Sequence, residues 1–394
     1  MKKCVIYLAL LLFVFASCEK IEPEKTRRSL LIYIAANNSL SSYMQQSVDL
    51  IAKGYVPDEN NRDEVLLVFT HSYNGEPTLY HYYSDRKEGV QREVLETFED
   101  TFNSADIESF RRVRSIAEEY FPSAKHDLVL WSHASGWLPV GYYSSPEPYI
   151  SVSQTNMGEY EEFEHIAVNQ SFGADHNVEM DIIELAASLP DNYYNLVIFD
   201  CCLMGCVEVA YQFRNKCRYM IFSPTEILSS GFPYNTIIEK CFKQPDIQGY
   251  GGICLDYFNM YDTQTGVNRS ATVSLVDCSL LEGLATLCKS IFDNNREAMA
   301  SVNRGMIQKY YRYNKDFFFD MEDYISAFAD SESLSKLHDA LDKAVPVKYA
   351  TDNFIGMPIN KYSGLSIYIP KSSYPKLNAY YRNLDWNKAT GLIL

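Results

Sequence analysis

The sequence has no Cys-x-x-Cys pair, no block of lysine and arginine, and no Asp-rich loop of EF-hand spacing. Without thiols paired at that spacing a structural zinc site has no frame. Without a basic patch there is no electrostatic footprint for nucleic acid, and the charge runs the other way: 35 Lys+Arg against 51 Asp+Glu leave a net charge of −16. Without a calcium loop, a Ca²⁺ requirement has no motif behind it, and no other cofactor is implied. Internal repeats are missing too, which excludes solenoids and arrays. Lysine and arginine are also absent from the whole of 134–213. What the chain does have is apolar mass: 47% hydrophobic residues support a substantial core and exclude wholesale disorder. The 31 tyrosines suit half-buried packing and an amphipathic surface.

The N-terminus reads as a targeting signal. Met1-Lys2-Lys3 is basic, and the apolar run over 5–15 is too short to span a bilayer comfortably. It ends in Phe15-Ala16-Ser17-Cys18, which resembles a bacterial lipobox whose cysteine becomes diacylated. An ordinary secretory signal is the simpler alternative. The expectation is a lipoprotein signal peptide over 1–17, lipidation at Cys18, a flexible stalk over 18–29, and a place in the cell envelope, membrane-held through the lipid. Eight cysteines remain once Cys4 and Cys18 are set aside. An even count in an exported chain invites disulfides. A core this large does not need them, and contexts such as Ile253-Cys254-Leu255 suit buried thiols.

Beyond the stalk, strand and helix patterns alternate. Apolar runs at 30–35, 65–69, 127–131, 195–199 and 219–222 read as buried strands, and 78–83 as a hairpin or edge strand. Helical spacing covers about 40–53, 105–120, 178–189 and 203–213, with Pro122 and Pro190 as stops. The polar, Tyr- and Ser-rich segment 138–177 has no period and reads as a long functional loop. From about 271 the pattern resumes with a strand to 276, a helix near 280–293 and a last strand at 365–369. This alternation predicts an α/β fold: a mainly parallel central sheet with helices on both faces, plus a C-terminal α/β extension.

Two strand ends carry the chemistry. One apolar run ends in Trp131-Ser132-His133-Ala134-Ser135-Gly136, the other in Phe199-Asp200-Cys201-Cys202-Leu203-Met204. Reactive groups in open α/β sheets collect where strands end and loops leave. Neighbouring strands ending in His and Cys place an imidazole beside a thiol, so that one can activate the other and later protonate a leaving amine. An N–H after the histidine could hold an oxyanion. The other histidines, among them His71, His126 and His176, have no comparable setting and are expected at the surface.

These two segments resemble the clostripain family of cysteine peptidases, which have a caspase-like fold. Ser223-Pro224-Thr225-Glu226 with Gly231-Phe232-Pro233-Tyr234, Phe319-Asp320-Met321-Glu322, and Ser363-Gly364-Leu365 through Pro370 are similar to further family elements, in order, over about 30–370. The resemblance implies a peptidase core over 30–265 and a C-terminal subdomain over 266–394 that completes the fold. It implies Cys202 as nucleophile, since it directly precedes Leu203-Met204, and His133 as base. The oxyanion donors would be the backbone N–H groups of Ala134 and Cys202. Asp200 would lie in the pocket for the substrate residue before the cut and pair with Arg or Lys; the bland alternative is an Asp capping the helix near Leu203. Ser223 and Glu226 would line that pocket or merely hold its loop. The chain departs from the family pattern with Ala134 where a glycine is usual, Cys201 where an alanine is usual, and apolar or hydroxyl residues at 227–230 where a second acid is expected.

The implied function is an endopeptidase acting on protein or peptide substrates through a thioester, after Arg or Lys. The alternative is a catalytically silent surface-binding lipoprotein displaying the Tyr-rich segment. Because 134–213 offers no basic residue, a peptidase of basic specificity has no bond to cut between its own histidine and cysteine.

Overall fold

The computed structural model describes residues 28–144, 146–147, 172–176, 178–312 and 316–394. The expected signal peptide, Cys18, the stalk up to 27 and most of the 138–177 segment lie outside the described residues.

The strands of the main sheet are β1 (Arg28–Ala36), β2 (Glu64–Ser72), β3 (Gly75–Asp85), β4 (Gly89–Thr97) and β5 (His126–Trp131). A hairpin of β6 (Phe172–Asp175) and β7 (Val178–Met180) stands apart. The main sheet continues with β8 (Tyr194–Asp200), β9 (Cys217–Phe222) and β10 (Thr272–Asp277); after the short β11 (Phe319–Asp320) comes β12 (Val347–Ala350). The sheet has nine strands in the order β12-β10-β9-β8-β5-β1-β2-β3-β4. Its middle, from β9 to β2, is parallel, and both edges are antiparallel.

The alternation of side chains along β1 explains the layers. Leu30, Ile32 and Ile34 enter one apolar cluster, and Leu31, Tyr33 and Ala35 the other. A strand apolar at every position has to be covered on both faces, which only crossover helices provide. Helices α1 (Ser41–Lys53), α5 (Tyr234–Lys243) and α6 (Ile247–Asp262) cover the first face. Helices α2 (Ile107–Tyr120), α3 (Ile182–Ser188), α4 (Val207–Gln212) and α7 (Leu281–Asn294) cover the second.

The structure departs from the sequence reading in several places. β4 carries no apolar run, because only Leu95 is buried on this edge strand. Its presence makes β3 an interior strand. The pattern over 178–189 splits into β7 and the shorter α3. The helix expected from 203 begins at Val207, because Leu203 takes a positive φ of 63° and breaks the chain out of helical geometry first. Asp200 therefore caps no helix; Cys206 holds that position. The expected last strand is only Ser366–Ile367, paired with β11 outside the main sheet. Beyond 265, β10 joins the main sheet by bonding β9 along an antiparallel register. The described cysteines are all buried and unbridged, with Cys217 and Cys278 sulfurs 3.8 Å apart.

Candidate active site

β5 and β8 are adjacent and parallel, with Trp131 paired to Asp200. His133 and Cys202 each follow two residues later, so the register alone brings them to one end of the sheet. Both line a cavity of about 20 Å³, together with Leu40, Asp200, Ile227 and Gly231. That volume is about one water molecule, far below a side chain.

The turn after β8 is built from unusual backbone. Leu203 at φ 63° is a non-glycine in the left-handed region, held there by its N–H to the Thr225 carbonyl at 2.8 Å, with Gly205 donating to the Ser223 carbonyl at 2.8 Å. Such residues cost about 1–3 kcal/mol and persist only where their surroundings over-determine them. The loop after His133 packs against this turn through Gly136, also at φ 63°: a β-carbon there would sit 2.6 Å from the Leu203 carbonyl oxygen and from the Phe318 ring. The positive φ thus falls at Gly136, while Ala134 has none, so a side chain at 134 causes no strain.

The Cys202 sulfur accepts the Ile227 N–H at 3.3 Å and lies 3.7 Å from the Ile227 carbonyl. Burial pushes its pKa up to about 12, helped by Glu226 and opposed by the Ile227 amide and Arg312. Cys201 turns its thiol inward to the Leu130 carbonyl at 2.9 Å. His133 is 2% exposed, and burial lowers its pKa to about 4. Its Nε2 lies 2.9 Å from the Ser39 hydroxyl; its Nδ1 is buried with no hydrogen-bond partner. A thiol and an imidazole so placed are both neutral at physiological pH.

Asp200 accepts from the Phe232 N–H at 3.1 Å and the Tyr234 hydroxyl at 2.8 Å, both on Oδ2. Burial raises its pKa to about 6 against those two donors. Gly231 makes room for it, since a β-carbon at 231 would meet the carboxylate at 2.6 Å. Glu226 does not line this cavity. Its Oε1 is held by Arg312 through Nε and Nη2, each at 3.0 Å, and its Oε2 is buried without a partner. Ser223 is not brought to the cavity either: its hydroxyl lies 2.8 Å from Thr272 and 3.2 Å from Thr225, in a fully buried network tying β9 to β10.

Ser39, Ile227 and Arg312 were missed as neighbours of this centre. Ser39 had a signal, as part of an Asn-Asn-Ser turn at the carboxyl end of a strand; Arg312 is far off in sequence and had none. Two of the histidines expected at the surface are not there, while His176 is exposed as expected. His71 and His126 are buried, and His71 and His176 both approach the Asp175 carboxylate, at 3.1 and 2.7 Å.

The clostripain family model matches residues 32–390. The chain belongs to the clostripain family. It is thus a clostripain-like cysteine peptidase with the caspase-like α/β architecture of its relatives. Among solved structures, it is similar to an inactive zymogen C11 protease from Parabacteroides distasonis, at 31% identity over 94% of this chain and 99% of that one, with a TM-score of 0.78. A secreted C11 cysteine protease from Bacteroides thetaiotaomicron has the same fold, at 24% identity over 93% of this chain and 100% of that one, TM-score 0.75. So does a secreted C11 cysteine protease from the same organism in complex with an irreversible peptide inhibitor, at 23% identity over 93% and 99%, TM-score 0.75. No curated protein matches the chain.

Proposed function

We propose that this clostripain-family peptidase cleaves peptide bonds after Arg or Lys through His133 and Cys202. The observation that carries the reading is the single cavity shared by the imidazole, the thiol and the Asp200 carboxylate at the ends of two paired strands. In the reaction, the thiol proton passes to imidazole as sulfur bonds the substrate carbonyl carbon, and the Ala134 and Cys202 N–H groups hold the resulting oxyanion. The imidazolium then protonates the departing amine, leaving a thioester that water hydrolyses. Asp200 would receive the basic side chain. Glu226, beside the thiol but paired with Arg312, contributes charge to the cleft more than direct contact.

At about 20 Å³ the cavity is too small for a substrate side chain, and Ile227 holds the thiol. Segment 227–231 therefore has to move before a substrate side chain can enter. This matches a resting state of the uncut chain; the relative from P. distasonis is an inactive zymogen. The chain would act at the cell envelope, exported by its N-terminal segment and held by a lipid on Cys18. Among the described residues no helix is long and apolar enough to cross a membrane.

The test is capture by peptidyl acyloxymethyl ketones that differ only in the terminal residue. The Arg and Lys reagents are expected to add to Cys202 at least tenfold faster than Leu or Glu reagents, with the adduct located by peptide mass mapping. Preference for an apolar or acidic residue would remove the Asp200 assignment. Absence of any adduct, with the protein folded, would favour a silent binding protein instead.

A further inference from the structure

The strand leading into His133 lies between two others. β8 on one side delivers Cys202, and β1 on the other delivers Ser39. Ser39 sits on a turn fixed by the side chain of Asn38, which is buried. Its amide nitrogen donates to the Ala35 carbonyl at 3.0 Å and the Ala174 carbonyl at 2.9 Å, and its amide oxygen accepts the Leu40 N–H at 2.9 Å. One side chain thus joins the end of β1, the β6 hairpin and the start of α1. Ser132 reinforces the junction by donating to the same Ala35 carbonyl at 2.7 Å. The backbone carbonyl of His133 is fixed as well, by the Gly173 N–H at 3.1 Å. On this rigid support the Ser39 hydroxyl lies 2.9 Å from His133 Nε2, and the other ring nitrogen is buried without a partner.

We infer that Ser39 is the positioning residue of the His133–Cys202 pair, accepting a hydrogen bond from Nε2–H so that Nδ1 presents its lone pair to the thiol. The inference rests on the proposed dyad and extends it to a third side chain. The proton balance is simple. The Cys202 proton moves to Nδ1 as the sulfur–carbon bond forms, and Nδ1 later gives it to the departing amine. Nε2 keeps its own proton throughout and donates to Ser39. That bond is neutral at rest and charge-assisted when imidazolium forms, so it is stronger in the transition state than in the ground state. A hydrogen bond to a charged group corresponds to about 10- to 100-fold in rate. In the neutral state, the second nitrogen's partner decides which ring nitrogen is protonated.

The experiment compares wild type, Ser39→Ala, Ser39→Thr and His133→Ala on a basic peptide amide and in Cys202 capture by the peptidyl ketone. Ser39→Ala is expected to lose about 10- to 100-fold in kcat and in capture rate. Its KM should stay within about twofold and its Tm within about 2 °C, because Ser39 is exposed. Ser39→Thr, which retains the hydroxyl, should recover most of the rate. Nitrogen NMR of labelled histidine in the Cys202→Ala background gives a readout independent of turnover. His133 should be the Nε2–H tautomer with Ser39 present, and a mixture in Ser39→Ala. Unimpaired Ser39→Ala beside a dead His133→Ala, or an unchanged tautomer, would overturn the assignment and leave the dyad standing. Full activity in His133→Ala would remove the dyad and the Ser39 role with it.

Discussion

Removing the Arg312 side chain while leaving Glu226 in place would strand a carboxylate that is 2% exposed and already has one oxygen without a partner. The Glu226–Arg312 pair joins the segment that grips the Cys202 thiol to a region far away in sequence. Breaking a buried pair from one side costs about 3–5 kcal/mol, because the remaining charge is dehydrated and uncompensated. For a chain of this length that corresponds to a Tm lowered by roughly 4–7 °C. Arg312→Met and Glu226→Gln should both destabilise. The double substitution should recover most of the loss, since an uncharged pair of similar volume leaves no buried charge to dehydrate. The two single variants should differ in reactivity. Glu226 raises the thiol pKa and Arg312 lowers it. Arg312→Met therefore pushes Cys202 further from ionisation and slows alkylation at fixed pH, whereas Glu226→Gln speeds it. Calorimetry gives the stability arm, and iodoacetamide capture followed by mass spectrometry gives the reactivity arm. A loss below about 1 kcal/mol in both singles would mean that the pair is not buried in solution. Reactivity moving in the same direction in both variants would refute the electrostatic reasoning at the thiol.

Cys202→Ala is expected to abolish hydrolysis with the fold intact, while Cys201→Ala, whose thiol faces the Leu130 carbonyl, keeps most activity; equal loss in both would displace the nucleophile assignment. Alkylation of free Cys202 should climb with pH throughout the range from 6 to 9, because burial holds the thiol near 12; a plateau at neutral pH would reveal a preformed ion pair with His133. On Arg substrates, kcat/KM should rise as pH passes through about 6, where the Asp200 carboxyl ionises, and Asp200→Asn should lose that limb along with the basic preference. Asp175 behaves oppositely: burial alone would raise it, but His71, the Ser104 amide, His176 and the Ser104 hydroxyl hold it near 2. A depressed carboxylate contributes stability above its unfolded value near 3.8 that is lost as pH falls toward 2, so acid unfolding of wild type should be steeper there than that of Asp175→Asn. Intact-mass comparison with Cys202→Ala should find no Cys202-dependent break in 134–213, where no basic residue offers a bond.

What local pattern can specify was readable from the sequence. Unbroken apolar runs identified β1, β2, β5, β8 and β9, since strands buried on both faces leave no polar alternation. Parallel order followed from helices of crossover length between them, and chemistry at strand ends followed from parallel order. That argument singled out His133 and the Asp200-Cys201-Cys202 turn, the resemblance to the clostripain family picked Asp200 and Cys202 within it, and one cavity is lined by all three. β4 was invisible because an edge strand with one buried side chain looks like a polar loop. Leu203's positive φ was invisible as well, because distant backbone groups hold that turn, the Thr225 and Ser223 carbonyls and the Ser366 N–H.

The sequence by itself determined the layered α/β architecture and the two strand ends that meet, because both are consequences of periodicity and of the short range over which a strand commits its side chains. Tertiary structure alone decided the partners: Ser39 at the imidazole, Ile227 at the thiol, Arg312 on Glu226, and Ser223 withdrawn into a hydroxyl network. Such contacts join residues separated by 25 to 94 positions, and only the packing of loops from different strands settles which polar group reaches which. Once water is excluded from that junction, each buried donor and acceptor has to be satisfied locally, and the same exclusion sets the ionisation of the groups inside it.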